Sequence, residues 1–228
     1  MGGGGLEVSS FHWDWGFAWA ILPELLQGLV VTVLATLLGS MVAFALGMVW
    51  TLVRMLRIPL LTPSVSFFVE FIRGTPLLIQ LYFLYYVLPT WGLTISPLPT
   101  GIFGLGLFYS AYAAEIFRAG IEDLPPGQWE AALTLGLPVR RVWLGIILPQ
   151  AIRSVAPILG NVVISMFKQS SLLSTITVFE LLAAGLNIGS VNYRYVEPLT
   201  LVGAFYFAIS FLSARIVRSL EAKHAFAD

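Results

Sequence analysis

Long apolar runs separated by short polar segments dominate this chain of 228 residues. A helix needs about 20 apolar residues to cross the hydrocarbon core of a bilayer, and five runs reach that length. They predict spans at about 25–53, 62–88, 101–120, 153–172 and 198–218. The pattern predicts an all-α integral membrane protein whose residues 1–228 form one transmembrane domain of five helices.

Small residues recur every three or four positions in three of these spans. They are Gly28, Thr32, Thr36, Ser40, Ala43 and Gly47 in the first span, Gly106, Ser110, Ala113 and Ala114 in the third, and Thr200, Ala204 and Ala208 in the fifth. Such stripes let the backbones of membrane helices approach closely. We expect most of these residues to pack within the bundle.

The basic residues predict the orientation of the spans. If the N-terminus lies outside, nine of the twelve Lys and Arg residues fall on the inner side, and only Arg194 lies in an outer loop. The inner nine are Arg54, Arg57, Arg118, Arg140, Arg141, Arg153, Arg215, Arg218 and Lys223. Because cytoplasmic loops carry an excess of Lys and Arg, we predict the topology N-out, C-in.

The composition excludes several classes of function. With 58% hydrophobic and 11% charged residues, the chain has less than half the charge of a typical soluble domain. Twelve basic residues balance twelve acidic ones, so the chain has no net positive charge to attract a nucleic acid. The chain has no Cys, and its two His residues, His12 and His224, stand at opposite ends. We therefore expect no catalytic, metal or cofactor site in this chain.

The segment 122–150 between the third and fourth spans predicts an ordered hairpin of two short helices. Pro125 and Pro126 would start the first helix, and Gly136 suits the left-handed residue that follows its end. Pro138 fits the first turn of the second helix, and Pro149 would end it and open the fourth span.

This hairpin resembles the EAA loop of type I ABC importer permeases, in their polar amino-acid uptake family. The matching residues are Glu130, Ala131, Ala132, Gly136, Ile146, Leu148 and Pro149, with Gly127-Gln128 before them and Gln150-Ala151 after them. The resemblance implies a cytoplasmic coupling helix on which ATP-binding subunits dock. Ala131 and Ala132 would let a partner backbone come close, and Glu130 would pair with a basic residue there.

The resemblance also implies the partners of such a subunit. They are a second permease subunit, identical or paralogous, two ATP-binding cassette subunits and an extracytoplasmic solute-binding protein, with lipid of the cytoplasmic (inner) membrane around them. The chain has no G-x-x-x-x-G-K-[ST] loop, so ATP-Mg would be bound by the partner subunits. The outer surface with Trp91 and the loop 173–197 is the expected docking face for the solute-binding protein.

Two further motifs of the same family lie in the second and third spans. The second contains Arg73-Gly74-Thr75-Pro76-Leu77-Leu78. We expect the helix to break there, with Thr75 as N-cap and Pro76 as first residue of a new helix, and Glu70 to pair with Arg73. In the third span Glu115 and Arg118 are again three residues apart. Each pair would serve as a structural contact or as part of a gate on the substrate path.

The end of the fourth span, Lys168-Gln169-Ser170-Ser171-Leu172, resembles a family segment that often reads K-D-T-S-L and lines the substrate path. Here Gln169 replaces the acid, which disfavours a strongly cationic substrate such as arginine. Lys168 could receive a carboxylate, with Gln169 and Ser171 offering neutral hydrogen bonds. Alternatively, Lys168 extends to the outer headgroups.

The sequence leaves alternatives open for both the transported solute and the energy source. Phe11-His12-Trp13-Asp14-Trp15 and the stretch through Gly28 resemble the ectoine/hydroxyectoine branch. Ectoine is a compact zwitterion, and glutamine or glutamate are the alternatives. An ion-coupled secondary transporter, with Glu70, Glu115 and Lys168 as relay residues, is the alternative to ATP-driven import. An intramembrane hydrolase is disfavoured, because no His or Cys stands near a Ser with catalytic spacing.

Overall fold

The computed structural model describes residues 12–225, with side chains through residue 219. Within that range all regular elements are helical. Phe11 of the ectoine-like segment and the side chains of Lys223 and His224 lie outside the described part.

Nine α-helices follow one another along this part of the chain. They are α1 (Trp15–Met55), α2 (Leu61–Gly74), α3 (Leu77–Tyr82), α4 (Pro97–Glu122), α5 (Pro126–Thr134), α6 (Val139–Val142), α7 (Leu148–Gln169), α8 (Leu181–Asn192) and α9 (Val196–Ala225). Four stretches are long and apolar enough to cross a membrane: α1, α4, Val139–Ile176 and Val196–Ser219. A fifth span arises if Leu61–Gly74 and Leu77–Trp91 are taken together.

The second span breaks where Gly74 and Pro76 predict, and its two parts meet at an angle of 105°. The roles of two residues differ from the prediction by one position. Thr75 is the C-cap of α2, with extended backbone, and its hydroxyl donates to the carbonyl of Phe71. Pro76 is the N-cap of α3, and not its first residue. The residue before a proline is pushed out of the helical region, so α2 cannot continue through Thr75.

The long helix α1 packs along the bundle, and its small-residue stripe is buried as predicted. Its closest neighbour is α4. A Cβ added at Gly47 would lie 2.7 Å from the Ala113 Cβ, so the two helices touch through their backbones. The Thr51 hydroxyl lies 2.9 Å from the carbonyl of Ala114 and adds a polar link. The small residues predicted in the third span are buried as well.

The small residues of the fifth span do not pack within the bundle. Thr200, Ala204 and Ala208 are exposed on α9, so the expectation of packing inside this chain is wrong for them. The described part of the chain has no helix left to cover this face of α9, because α1, α7 and α8 pack against its other side.

Pro149 does not end the second helix of the hairpin, contrary to the prediction. Helical structure runs from Val139 to Ile176, and Pro149 lies in the first turn of α7. A proline removes one helical hydrogen bond and its ring crowds the preceding turn. Here the turn at Trp143–Ile147 widens into a π-helix directly before it, which gives the ring room without a break.

The expected outer loop 173–197 is largely ordered. A 3₁₀ turn at Ser170–Ile176 leads through Thr177, which has a positive φ of 64°, into α8. The helix α8 is apolar and packs on α1, where a Cβ at Gly28 would lie 3.0 Å from the Ala184 Cβ. The sequence did not predict this helix, because 12 residues are too few to stand out as a span.

Candidate functional site

The EAA hairpin begins and turns as the sequence predicts. Helix α5 starts at Pro126, and Gly136 follows the helix end with a φ of 62°. A glycine has no Cβ to oppose this left-handed conformation. Pro138 is the N-cap of α6 and not a residue of its first turn, so the second helix begins one residue later than predicted.

The residues of the EAA motif point in two directions. Glu130 and Ala131 are exposed, whereas Ala132 is only 2% exposed. The interpretation that Ala132 meets a partner backbone is therefore wrong for this structure, because successive helical residues point about 100° apart. Ala132 packs in an apolar cluster with Ile121, Val142 and Ile147 of the same chain.

The second part of the motif holds the hairpin to the bundle. Ile146 and Leu148 pack against that same cluster, which also receives Met55 from the end of α1. The rings of Trp129 on α5 and Trp143 before α7 meet edge to face at 5.3 Å. Helix α5 is therefore packed directly against the segment that leads into α7.

An exposed apolar tip surrounds Gly136 and was not singled out by the sequence analysis. Leu133, Leu135 and Val139 are all exposed there. Beside the tip, Arg140 and Arg141 line a shallow cavity of about 500 Å³. Three large apolar residues flanking one turn were the available signal. Such a surface is typical of a protein contact.

A cluster of charged residues joins α1, α2 and α4 at one end of the bundle. The Glu115 carboxylate accepts from Arg54 at 2.6 Å and from Arg118 at 2.8 Å, and Arg73 lies 3.8 Å away. Arg118 also donates to Glu122 at 2.6 Å. The predicted pair of Glu115 and Arg118 is therefore confirmed. Three guanidinium groups face two carboxylates, which leaves one positive charge in excess.

Arg73 does not pair with Glu70, contrary to the prediction. Its guanidinium carbon lies 5.5 Å from the centre of the Tyr112 ring and close to Glu115. Glu70 is exposed and forms no ion pair with any described residue. A carboxylate and an aromatic face on α4 together hold the cation better than one exposed carboxylate on its own helix.

A cleft of about 540 Å³ opens beside this charged cluster, between α2, α4 and α7. Arg73, Glu115 and Gln169 lie in its wall, so the structure brings three of the predicted substrate-path residues together. The sequence analysis did not assign the other lining residues to a substrate path; they are Phe108, Tyr109, Tyr112, Ile116, Ile158, Asn161, Val162 and Ser165. The wall is therefore aromatic and amide-rich with one partly exposed guanidinium.

The structure separates Lys168 from this cleft. Lys168 lies in a groove between α7 and α9, whereas the neighbouring Gln169 lies in the cleft wall. The Ser171 hydroxyl donates to the carbonyl of Lys168 at 3.0 Å and lines neither of these cavities. Thr75 and Glu70 also lie outside the cleft wall. A substrate role for these four residues stays a prediction.

A fully buried carboxylate that the sequence analysis did not single out ties three helices together. Glu180 caps the start of α8 by accepting from the amide of Ala183 at 2.9 Å. It also accepts from the hydroxyls of Thr32 on α1 at 3.2 Å and Tyr206 on α9 at 2.9 Å. A Glu just before an apolar run was the only local signal, because its partners are distant in sequence.

A second polar cluster lies where α1 and α9 begin. Arg194 donates to Asp14 at 3.3 Å and to the buried Glu197. The amide of Phe17 donates to Asp14, which caps α1, and together with Arg194 it lowers the pKa of that carboxyl. Among residues 12–225, no group of acidic and His side chains is placed to hold a metal ion.

Comparisons with known proteins agree with this arrangement. Residues 43–225 match the family model of the binding-protein-dependent transport system inner membrane component. The probable amino-acid ABC transporter permease protein y4tG of Sinorhizobium fredii is 43% identical over 216 residues, which are 92% of this chain and 94% of that protein. The L-cystine transport system permease protein TcyB of Bacillus subtilis is 36% identical, over 87% of this chain and 86% of TcyB.

A solved structure shares the fold over nearly the whole chain. It is the crystal structure of an amino acid ABC transporter with histidines, which superposes with a TM-score of 0.86 at 35% sequence identity. The match covers 93% of this chain and 100% of that one.

Proposed function

Because the chain belongs to the binding-protein-dependent transport system inner membrane components and is a permease of an amino-acid ABC importer, we propose that its cleft carries a small zwitterionic solute. The candidates are a polar amino acid and ectoine or hydroxyectoine. The chain is a multi-pass protein of the inner membrane. An ion-coupled transporter is not favoured, since the relatives are ABC permeases.

The position of Arg73 carries this proposal. Its contact with Glu115 is long, at 3.8 Å, because Arg54 and Arg118 already occupy that carboxylate at shorter distances. Arg73 therefore keeps hydrogen-bond donors free toward the cleft. A guanidinium binds a carboxylate through two parallel hydrogen bonds, which suits the acid group of an amino acid or of ectoine.

The remaining wall of the cleft suits a diffuse positive charge. Tyr112 and Tyr109 present aromatic rings, and Asn161 and Gln169 present amide oxygens. Aromatic faces attract cations, and the amides accept hydrogen bonds from an amino group. Glu115 is already paired with arginines, so the cleft wall offers no free carboxylate to a second, strongly cationic group such as the arginine side chain.

The partner assembly follows from the same proposal. A second permease subunit completes the pathway, and two ATP-binding subunits dock on the exposed Glu130, Ala131 and the apolar tip. A solute-binding protein delivers the solute from outside. The rigid attachment of α5 to the start of α7 supports this role, because closure of the ATP-binding subunits would move a membrane helix directly.

Uptake by the reconstituted complex tests the cleft. Arg73→Met is expected to raise the KM at least tenfold, since a hydrogen bond to a charged group contributes about 1.5–3 kcal/mol. Arg73→Lys should recover part of that loss. The matched control is Arg153→Met, which removes an exposed arginine of α7 outside the cleft wall. An unchanged KM in Arg73→Met would contradict the assignment.

Competition among labelled solutes tests the substrate class. Ectoine, glutamine, glutamate and arginine would be compared in the same vesicles. We expect one of the first three to compete best and arginine to compete least. Preferential uptake of arginine would show that the cleft does not work as proposed.

A further inference from the structure

The break in the second span deprives helical carbonyl groups of their usual donors. In a continuous helix the carbonyl of Ile72 would accept from the amide four residues later, but that residue is Pro76, which has no N–H. The neighbouring carbonyl of Phe71 accepts from the Thr75 hydroxyl at 2.8 Å. Because an unpaired carbonyl is costly in hydrocarbon, Ile72 needs a donor from outside α2.

The side chain of Gln80 on α3 supplies that donor. Its amide nitrogen donates to the carbonyl of Ile72 at 2.8 Å and to that of Thr75 at 3.2 Å. The opposite orientation of the amide would place its oxygen against two other acceptors. Gln80 is only 8% exposed, so water competes little for this nitrogen. One buried side chain therefore joins the last turn of α2 to the residues that lead into α3.

The other end of the same amide argues for a role beyond stability. The Gln80 oxygen is buried and makes no hydrogen bond with any described residue. A buried acceptor without a partner is unfavourable, so it offsets part of the stability that the two hydrogen bonds contribute. What the two bonds do provide is a fixed geometry for the broken turn.

The turn that Gln80 holds carries Arg73. From the described residues of α2 and α3, only Arg73 lines the cleft. Its contact with Glu115 is long, at 3.8 Å, and its guanidinium carbon lies 5.5 Å from the centre of the Tyr112 ring. Neither contact is tight, so the backbone position of Arg73 decides where its donors point. Misplacement of a binding group by about 1 Å is enough to impair function strongly.

We propose that Gln80 is a positioning residue for solute binding. By bonding the carbonyls of Ile72 and Thr75, on either side of Arg73, it holds the Arg73 guanidinium where a solute carboxylate is received. The inference rests on the proposed function, because Gln80 acts through Arg73. Gln80 does not line the cleft, so it does not itself touch the solute.

Uptake by the reconstituted complex tests this role. Gln80→Met removes the donor but keeps an unbranched side chain, and Gln80→Asn retracts the amide by one methylene. We expect each variant to raise the KM about fivefold and to leave kcat within about twofold, because only solute binding is impaired. Thr32→Val is the control, since it removes buried hydrogen bonds outside the cleft wall and should leave the KM unchanged. A lowered kcat at unchanged KM in the Gln80 variants would overturn the inference.

A double substitution shows whether Gln80 acts through Arg73. In the Arg73→Met background, Gln80→Met should raise the KM by no more than about 1.5-fold further, because residues that act through one another are not additive. A further increase as large as that in the wild-type background would place the effect of Gln80 elsewhere and overturn the inference.

Alkylation of a thiol introduced at position 73 tests the positioning without any solute. The chain contains no Cys, so Arg73→Cys places a single thiol in it. Its reaction with a water-soluble maleimide in the assembled transporter should become at least about threefold faster when Gln80→Met is added, because the last turn of α2 then opens more easily. Equal rates would overturn the inference. A faster rate together with an unchanged KM in Arg73→Met would instead overturn the proposed function and support the role of Gln80 in placing residue 73.

Discussion

At the scale of single residues, Glu115 determines what Arg73 can do. Arg54 and Arg118 hold its two carboxylate oxygens at short distances, and Arg73 lies farther away above the Tyr112 ring. Substitution of Glu115 would change the stability of the bundle and the availability of Arg73 together. The two effects are separable, because the stability of the bundle is measured without solute, whereas the availability of Arg73 affects only the binding of solute.

We expect Glu115→Gln to lower the free energy of unfolding of the solubilised subunit by about 1–3 kcal/mol. Removing one partner of a fully buried ion pair costs about 3–5 kcal/mol, and Glu115, with a side chain 23% exposed, should cost less. Glu70→Gln is the matched control, because Glu70 forms no ion pair with the described residues. Equal free energies of unfolding in the two variants would contradict a stabilising role for the charged cluster around Glu115.

Thr32 offers a second test at this scale. Its hydroxyl bonds the Glu180 carboxylate and accepts from the amide of Leu181 at 3.1 Å. Thr32→Val should lower the free energy of unfolding by about 1–3 kcal/mol, because the buried Glu180 carboxylate and the Leu181 amide each lose a partner. It should also speed amide hydrogen exchange in α8. Thr36→Val is the control, because within the described part of the chain the Thr36 hydroxyl bonds only the carbonyl of Thr32 in its own helix. Equal exchange in both variants would refute the link.

At the scale of helices, the EAA hairpin divides into an outward surface and an inward anchor. Glu130 and Ala131 face outward with the tip, and Ala132 packs on Ile147. The two neighbouring alanines therefore serve different purposes, although their side chains are identical. Substitution of each alanine by the same larger residue separates docking from packing.

Ala132→Leu should destabilise the solubilised subunit by about 1–3 kcal/mol, because extra methylenes overpack a filled cluster. Ala131→Leu should change the free energy of unfolding by no more than about 0.5 kcal/mol, as exposed substitutions do. It should nevertheless reduce copurification of the ATP-binding subunits. Melting and copurification are measured on the same preparations. If Ala131→Leu melted like Ala132→Leu, the division of the motif would be wrong.

Sequence predicted the parts of these helices that depend on local chemistry. The break at Gly74 to Pro76, the start of α5 at Pro126 and the left-handed Gly136 all follow from the backbone limits of glycine and proline. Pro149 was mistaken for a helix end because a π-turn before it relieves the crowding. The contacts of Glu180 with Thr32 and Tyr206 and the pairing of Arg73 with Glu115 depend on residues far away in sequence, so no local pattern could reveal them.

At the scale of the whole molecule, the chain buries its small residues centrally and leaves several surfaces uncovered. The hairpin tip, the cleft and the outward side of α9 are exposed, while α1 and α4 bury their small residues against each other. The separation of Lys168 from Gln169 is a consequence of this arrangement. Adjacent residues on α7 face different neighbours, and the sequence alone could not tell which neighbour each one meets.

Energy coupling through the hairpin is the central claim, and uptake under controlled energy supply tests it most directly. Proteoliposomes containing the assembled transporter would receive ATP on the side of the ATP-binding subunits, with ionophores collapsing all ion gradients. The wild-type chain should accumulate solute, and Glu130→Arg should lower the rate at least tenfold while the subunit stays inserted. Uptake driven by an ion gradient without ATP, or wild-type uptake by Glu130→Arg, would contradict the account.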